Sequence, residues 1–196
     1  GISEKDLALE LEFFLKRNAD DTAFSPIVAY GENAAIPHYL PSNTCHLEPN
    51  TLILLDFGAK VAGYCADMTR VVFLGKPKNY WLTIYNTVLQ AQKIALENIK
   101  IDIDASEPDK IARNYIESKG FPQYPHGLGH GVGLAIHEAP RLRKDSKEIL
   151  KENMVVTVEP GIYLPGKCGV RIEDLVVLKK DGIEILSKST KEITIL

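Results

Sequence analysis

Apolar positions along the chain change period several times, and each change predicts an element. Leu7, Leu11, Phe14 and Leu15 recur at helical spacing behind Ser3 and Asp6, a serine with an acid three residues later. Residues 3–18 therefore read as an amphipathic helix opened by a capping box, with those four side chains on its apolar face. Residues 21–50 lose the period and contain Pro26, Pro37, Pro41 and Pro49, so they read as loop-rich. Two strand-like runs follow, 52–57 and 66–73, joined as a hairpin with its turn at 60–63. From 79 to 99 the period is helical again, with Trp81, Ile84, Tyr85, Val88, Ala95 and Ile99 on one side. A further helix begins near Ser106, carries Pro108 in its first turn and stops at Gly120. The run 125–133, PHGLGHGVG, holds too many glycines for a helix. Strands at 154–163 and 169–178 and a short hairpin around Asp181 and Gly182 complete the chain.

The two long hairpins form a distant repeat, and each carries an acid on both strands. The first turn places Asp56 opposite Asp67. A three-residue loop, Pro165-Gly166-Lys167, places Glu159 opposite Glu173. Facing residues in a hairpin have Cβ atoms about 4.5–5.5 Å apart, where like charges destabilise the sheet unless something neutralises them. Singly, each acid could be a turn or surface residue; a facing pair in each of two apolar hairpins asks for a common cause. Such carboxylates either share protons, as in aspartic proteases and glycosidases, or bind cations. Four acids with one imidazole balance two divalent ions, and hard oxygen donors favour manganese, iron, cobalt or zinc. Two such ions about 3.5–4 Å apart hold a bridging water, lower its pKa and polarise a carbonyl.

The imidazole candidates are His126, His130 and His137. Their even spacing puts His126 and His130 on one strand face. One can ligate while its neighbours move protons or hydrogen-bond the reacting oxygen. Arg171, two residues before Glu173, shares that strand face and would orient the ligand carboxylates from behind. From spacing alone His38 and His46 read as structural. The adjacent Cys45 and His46 read as structural or surface residues, and the cluster of Arg141, Arg143, Lys144 and Lys147 as including solvated ones.

Composition narrows the class. With 196 residues, 45% of them apolar and 25% charged, the chain matches ordinary globular domains. Disorder, fibres and coiled coils are disfavoured. A net charge of -3 gives no reason to expect nucleic acid. No apolar run nears the roughly 18 residues of a membrane span, so no membrane partner is expected. The start is too charged for a signal peptide and lacks an initiating Met, so a processed or cut end is expected. Cys45, Cys65 and Cys168 form no CxxC pair, which points to a reducing compartment and a cytoplasmic location. GxGxxG, P-loop, HExxH and GxSxG motifs are absent.

Five segments together resemble the pita-bread metallopeptidases, which include Xaa-Pro dipeptidase (prolidase), aminopeptidase P and methionine aminopeptidase. They are LDFGA around Asp56, ADMTR around Asp67, HGLGHGVGL from His126, VEPGIY around Glu159 and VRIED around Glu173. The resemblance covers roughly 24–196, a catalytic domain preceded by a helix and linker at 1–23. The separate N-terminal domain of proline-specific relatives is expected to be absent. The resemblance implies an α+β fold with a curved, mainly antiparallel sheet, helices on its outer face and pseudo-two-fold halves. It implies Asp56, Asp67, His130, Glu159 and Glu173 as ligands of two divalent metals, manganese or cobalt before zinc or iron. It gives Glu159 the general-base role and His137 the stabilisation of the tetrahedral intermediate. It turns His38 into a residue of the substrate site, with His126 beside it, and makes Arg141 the clamp for a substrate carboxylate. The expected activity is prolidase-like cleavage of Xaa-Pro dipeptides by a metal-bridging hydroxide, on a short peptide substrate, with a homodimer compatible with the family. Aminopeptidase P or methionine aminopeptidase activity is the near alternative. A non-catalytic peptide-binding module on the same scaffold is the distant one.

Overall fold

The computed structural model describes all residues, 1–196. Helix α1 (Glu4–Asn18) is followed by strands β1 (Asp21–Thr22) and β2 (Ile27–Tyr30) and a 3-10 turn, Gly31–Ala35. The first long hairpin comprises β3 (Thr51–Phe57), β4 (Ala59–Val61), β5 (Tyr64–Cys65) and β6 (Met68–Leu74). Helices α2 (Asn79–Asn98) and α3 (Ser106–Ser118) lead to β7 (Gly129–Gly131) and β8 (Glu138–Leu142). The second long hairpin comprises β9 (Val155–Val158), β10 (Gly161–Leu164), β11 (Cys168–Arg171) and β12 (Asp174–Lys179); β13 (Gly182–Ile185) and β14 (Thr194–Ile195) end the chain.

The expected α+β, antiparallel-rich architecture is what forms. One main sheet runs β14-β6-β3-β2 and the other β13-β12-β9-β7-β8. Every pairing is antiparallel except that of β14 with β6. The two hairpins are built alike: an inner ladder, a one- or two-residue break, then an outer ribbon in the same register. In the second, Val158 pairs Asp174 inside the break and Gly161 pairs Arg171 outside it. Glu159 and Glu173 thus occupy matching places at the break, in the expected register. The first hairpin departs from expectation. Asp56 lies opposite Thr69, not Asp67, and Val61 pairs Tyr64 across a two-residue turn, Ala62-Gly63. Both turn residues have left-handed backbones, φ 49° and 83°, as a tight hairpin turn requires. The slip of two residues keeps side-chain parity, so Asp56 and Asp67 still share a face.

Helix α2 buries Trp81, Ile84, Tyr85 and Val88 in the main core, with Phe73 of β6 6.3 Å from Trp81 and 6.0 Å from Tyr85 between ring centres. Each such side chain contributes about 1.5–3 kcal/mol by leaving water. Helix α1 begins at an Ser3 cap whose hydroxyl accepts from the Asp6 N–H at 3.0 Å. Its buried stripe is Glu4, Ala8 and Leu15, which leaves Phe14 at the margin and 63% exposed. The expected loop at 21–50 contains β2, a core strand paired with β3. Neither β8 nor β14 is marked by the hydrophobic pattern.

The two halves join at Thr69 and Glu173. The Glu173 N–H donates to the Thr69 carbonyl at 3.2 Å, and Arg70 donates to both residues' carbonyls. Arg70 also pairs with the fully buried Asp174 at 2.7 Å, whose other oxygen meets Lys191 and Gln92. This buried network fixes where the breaks of the two hairpins face each other.

Candidate active site

The breaks point acids toward one place. Asp56 is the last residue but one of β3, Asp67 precedes β6, Glu159 follows β9, Glu173 precedes β12, and His130 is central in β7. These five line a pocket of about 330 Å³ with His38, His126, His137, Arg141 and Arg171, so every residue expected at the site borders one cavity. Gly129 lets β7 lie this close to β9, because a Cβ there would stand 1.9 Å from the Thr157 carbonyl oxygen. His126 is not on a strand with His130, since β7 spans only Gly129–Gly131. It stands in the irregular stretch before β7, which Asp109 and Arg113 of α3 hold by hydrogen bonds to the Leu128 N–H and to the Tyr124 and His126 carbonyls.

Ligand atoms of Asp67, His130 and Glu173 lie within 4.8 Å of one another. His130 Nε2 is 3.6 Å from Asp67 Oδ2 and 3.5 Å from Glu159 Oε1, beyond good hydrogen-bond length. The other ring nitrogen, Nδ1, faces the Gly131 carbonyl at 3.0 Å and so carries the proton, which leaves the Nε2 lone pair aimed at the acids. Burial pushes His130 down to about 4, a neutral imidazole. Asp67 is pushed up to about 9 by burial and then by the charges of Asp56 and Glu159. Glu159 is pushed up to about 8, burial first, with Arg171 opposing. Glu173 is also held well above the carboxylate range, by burial and by its three acidic neighbours. Asp56 Oδ1 is buried with no hydrogen-bond partner. An orphaned carboxylate oxygen, three acids that resist ionising and one imidazole lone pair form a hard donor set that fits divalent cations.

The supporting shell has members that sequence reasoning missed. Thr69 Oγ1 donates to Glu173 Oε2 at 2.6 Å and accepts from Arg171 Nε at 3.0 Å. Thr157 Oγ1 donates to Glu159 Oε1 at 3.1 Å and accepts from the His130 N–H at 3.0 Å. Both threonines stand two residues from an acid, on the same strand face, so the period that marked the acids also marked them. Arg171 spreads over three elements: Nη2 lies 2.6 Å from Asp56 Oδ2 and Nη1 donates to Tyr163 Oη at 2.9 Å. Tyr163 in turn donates to His126 Nε2 at 2.8 Å, while His126 Nδ1 donates to the Gly127 carbonyl at 2.7 Å. Both nitrogens of His126 are thereby committed inside the protein, and burial with the Arg171 charge pushes it down to about 3.

The open side of the pocket is different in character. His137 packs edge-on against His130 with ring centres 4.3 Å apart and is pushed down by burial and Arg141. Arg141 on β8 lies opposite His130 in the ladder and is exposed. Arg143, from the basic cluster read as including solvated residues, also borders the cavity and pairs with Asp145 at 3.0 Å.

A hard donor set drawn from the breaks of two matched hairpins and from β7, gathered at one pocket, is the arrangement of a pita-bread metal site. The chain belongs to metallopeptidase family M24, whose sequence profile matches residues 1–180. It is 42% identical over 195 residues to the Xaa-Pro dipeptidase of Pyrococcus horikoshii, covering 98% of this chain and 55% of that protein. The solved X-Pro aminopeptidase of Thermotoga maritima has a TM-score of 0.97 at 42% identity, covering 100% of this chain and 56% of its own. The Xaa-Pro dipeptidase from Bacillus anthracis has a TM-score of 0.96 at 44% identity, with coverages of 100% and 56%. The chain thus spans little more than half the length of these relatives. No helix is long and apolar enough to cross a membrane.

Proposed function

We propose that the protein carrying this chain is a divalent-metal-dependent exopeptidase that hydrolyses the Xaa-Pro bond of dipeptides. The observation that carries this is the single cavity that brings the donor set together with His38, His137 and Arg141. Asp56, Asp67, His130, Glu159 and Glu173 would hold two metal ions, manganese or cobalt before zinc or iron. Bound there, they supply Lewis acidity to the scissile carbonyl and to the attacking water. Glu159 takes a proton from the water and returns it to the leaving nitrogen. Neutral His137 donates an N–H to the carbonyl oxygen as charge builds there. His38, which lines the cavity, meets the peptide there. Arg141 clamps the free carboxylate, a task suited to a planar guanidinium. Arg171 holds Asp56 in place through its fork. His126 shapes the pocket through its ring, since its nitrogens are engaged.

We divide the chain into a leading helix with its linker, 1–23, and the catalytic part, 24–196, which contains every candidate site residue. Three free cysteines fit a cytoplasmic location. The partner is a short peptide rather than nucleic acid or membrane, and a homodimer is compatible with this reading. Aminopeptidase P activity is the second reading, favoured by the X-Pro aminopeptidase name of the Thermotoga structure.

The test is a peptide-length panel on the full-length protein loaded with manganese, cobalt or zinc. Faster turnover of Xaa-Pro dipeptides than of Xaa-Pro tripeptides supports the proposal. Tripeptide preference supports aminopeptidase P. A folded protein that takes up no metal and cleaves neither peptide points to the binding module and ends the catalytic reading.

A further inference from the structure

Glu4 is the first residue of α1 and is fully buried, yet no cation pairs with it. Four neutral donors surround its carboxylate instead. Oε1 accepts from the Tyr30 N–H at 2.7 Å and from Asn33 Nδ2 at 3.0 Å. Oε2 accepts from Tyr39 Oη at 2.7 Å and from the Ser42 N–H at 3.3 Å. The positive end of the α1 dipole adds to this stabilisation. All four donors lie between Tyr30 and Ser42, the stretch that delivers Pro37 and His38 to the pocket wall.

That stretch has little else to fix it. From 36 to 42 it forms no helix or strand, and its backbone makes two main-chain hydrogen bonds: Ile36 N–H to the Asn33 carbonyl, and Lys5 N–H to the Ser42 carbonyl. The second comes from α1 itself. Arg171 Nη1 also donates to the Pro37 carbonyl at 3.3 Å, the Tyr39 ring packs against the main core, and the Ser42 hydroxyl bonds only its neighbour Thr44. A segment with so few internal bonds takes its position from the groups that grip it from outside. Here the polar groups among them are Glu4 at both flanks and Arg171 near the middle, and Glu4 also holds the hydroxyl of the one ring that packs on the core, Tyr39.

We propose that Glu4 is the positioning residue of the His38 wall, holding residues 30–42 against the cavity and so setting affinity for the peptide without touching it. The inference builds on the proposed function only in naming the peptide. Its geometry stands on the hydrogen bonds alone.

The test uses the full-length, metal-loaded protein and the variants Glu4→Gln, Tyr39→Phe, His38→Ala and the double variant Glu4→Gln/His38→Ala. Glutamine keeps the shape and one acceptor oxygen, but turns an amide donor toward Tyr39 and the Ser42 N–H. Hydrogen exchange of peptides covering 30–42 should accelerate about tenfold, the equivalent of one to two lost hydrogen bonds, while 124–131 keeps its protection. With Ala-Pro as probe, KM should rise roughly five- to tenfold and kcat stay within about twofold. Tyr39→Phe removes one donor and should move both readouts the same way by less. In the His38→Ala background, Glu4→Gln should raise KM no further. Unchanged exchange at 30–42, acceleration spread over the whole chain, or a KM effect that adds fully to that of His38→Ala would each overturn the proposal. If the parent protein cleaves no peptide, the functional reading fails while the exchange result still decides the role of Glu4.

Discussion

Arg171 Nη2 stands 2.6 Å from Asp56 Oδ2, a buried ion pair that spans the two hairpins of the fold. The same guanidinium reaches Thr69 through Nε and Tyr163 through Nη1, so one rigid fork sets the orientation of an acid, a threonine and a tyrosine. The second oxygen of Asp56 is buried with no partner in the protein, on a residue that lines the pocket. Lysine keeps the charge but reaches one of the three sites at a time. Arg171→Lys should weaken divalent-metal affinity by about 10–100-fold, read by calorimetric titration of the metal-free protein. Parental affinity in that variant would show that charge alone orients Asp56.

The crowding of acids predicts a pH-dependent fragility that metal removes. In the unfolded chain Asp67, Glu159 and Glu173 lose their protons near pH 4. In the folded, metal-free protein Asp67 keeps its proton to about 9 and Glu159 to about 8. The folded state therefore binds more protons between these limits, and its stability falls as the pH rises through them. Below pH 6.5 the depressed His126 and His130 act in the opposite sense, because the unfolded histidines gain protons that the folded ones refuse. The clean window is thus pH 6.5 to 8. Across it the melting temperature of EDTA-treated protein should drop by roughly 5 °C or more, about 2 kcal/mol for a chain of this size. Metal-loaded protein should lose much less, since the ions replace the protons. A flat profile without metal would mean that the carboxylates ionise freely.

Arg141 carries a prediction about substrate length. Its side chain is exposed on β8 at the open side of the cavity, opposite His130 in the ladder. A charge-assisted bond to a free carboxylate contributes about 1.5–3 kcal/mol. Arg141→Ala should therefore lower kcat/KM for an Xaa-Pro dipeptide by about 10–150-fold. A tripeptide, whose terminal carboxylate lies one residue further out, should lose far less. Equal losses on both peptides would remove the clamp and leave Arg141 a general charge at the entrance.

The elements most legible in sequence were those with a strong period: α2, α3 and the strands that carry acids. The placement of Asp56 beside Asp67 was legible in parity but not in register. The turn that sets the register puts an alanine, Ala62, in a left-handed backbone that residue propensity disfavours. Strand β2 was hidden by Pro26 immediately before it and by the prolines that follow. Phe14 fitted the apolar period of α1 but lies outside the stripe that Glu4, Ala8 and Leu15 bury. Buried charges were the least visible. Glu4, Arg70, Asp109 and Asp174 look like surface residues until partners distant in sequence close around them, and such partners leave no local period. His126, His130 and His137 were candidates by spacing and His38 only by the family resemblance, and the commitment of both His126 nitrogens depends on Tyr163, 37 residues away.

Asp109 and Arg113 link helix α3 to the site through the backbone. Asp109 is fully buried; its Oδ2 accepts from Arg113 Nε at 2.7 Å, and its Oδ1 accepts from the Leu128 N–H at 2.9 Å. The Leu128 carbonyl in turn accepts from the Glu159 N–H at 2.7 Å. The remaining guanidinium nitrogens donate to the Tyr124 and His126 carbonyls, and the guanidinium carbon lies 4.0 Å from the centre of the Tyr124 ring. Removing the arginine leaves a buried carboxylate without its charge partner and two carbonyls without donors. Arg113→Ala should cost about 3–5 kcal/mol of unfolding free energy in urea. Asp109→Asn/Arg113→Met removes both charges together and should recover part of that loss. Arg113→Lys should retain the pairing with Asp109 but release the two carbonyls, so it should be only mildly destabilised while still losing catalytic efficiency through a displaced 124–131 segment. Full stability and full activity in Arg113→Ala would show that the glycine-rich segment holds its course without α3.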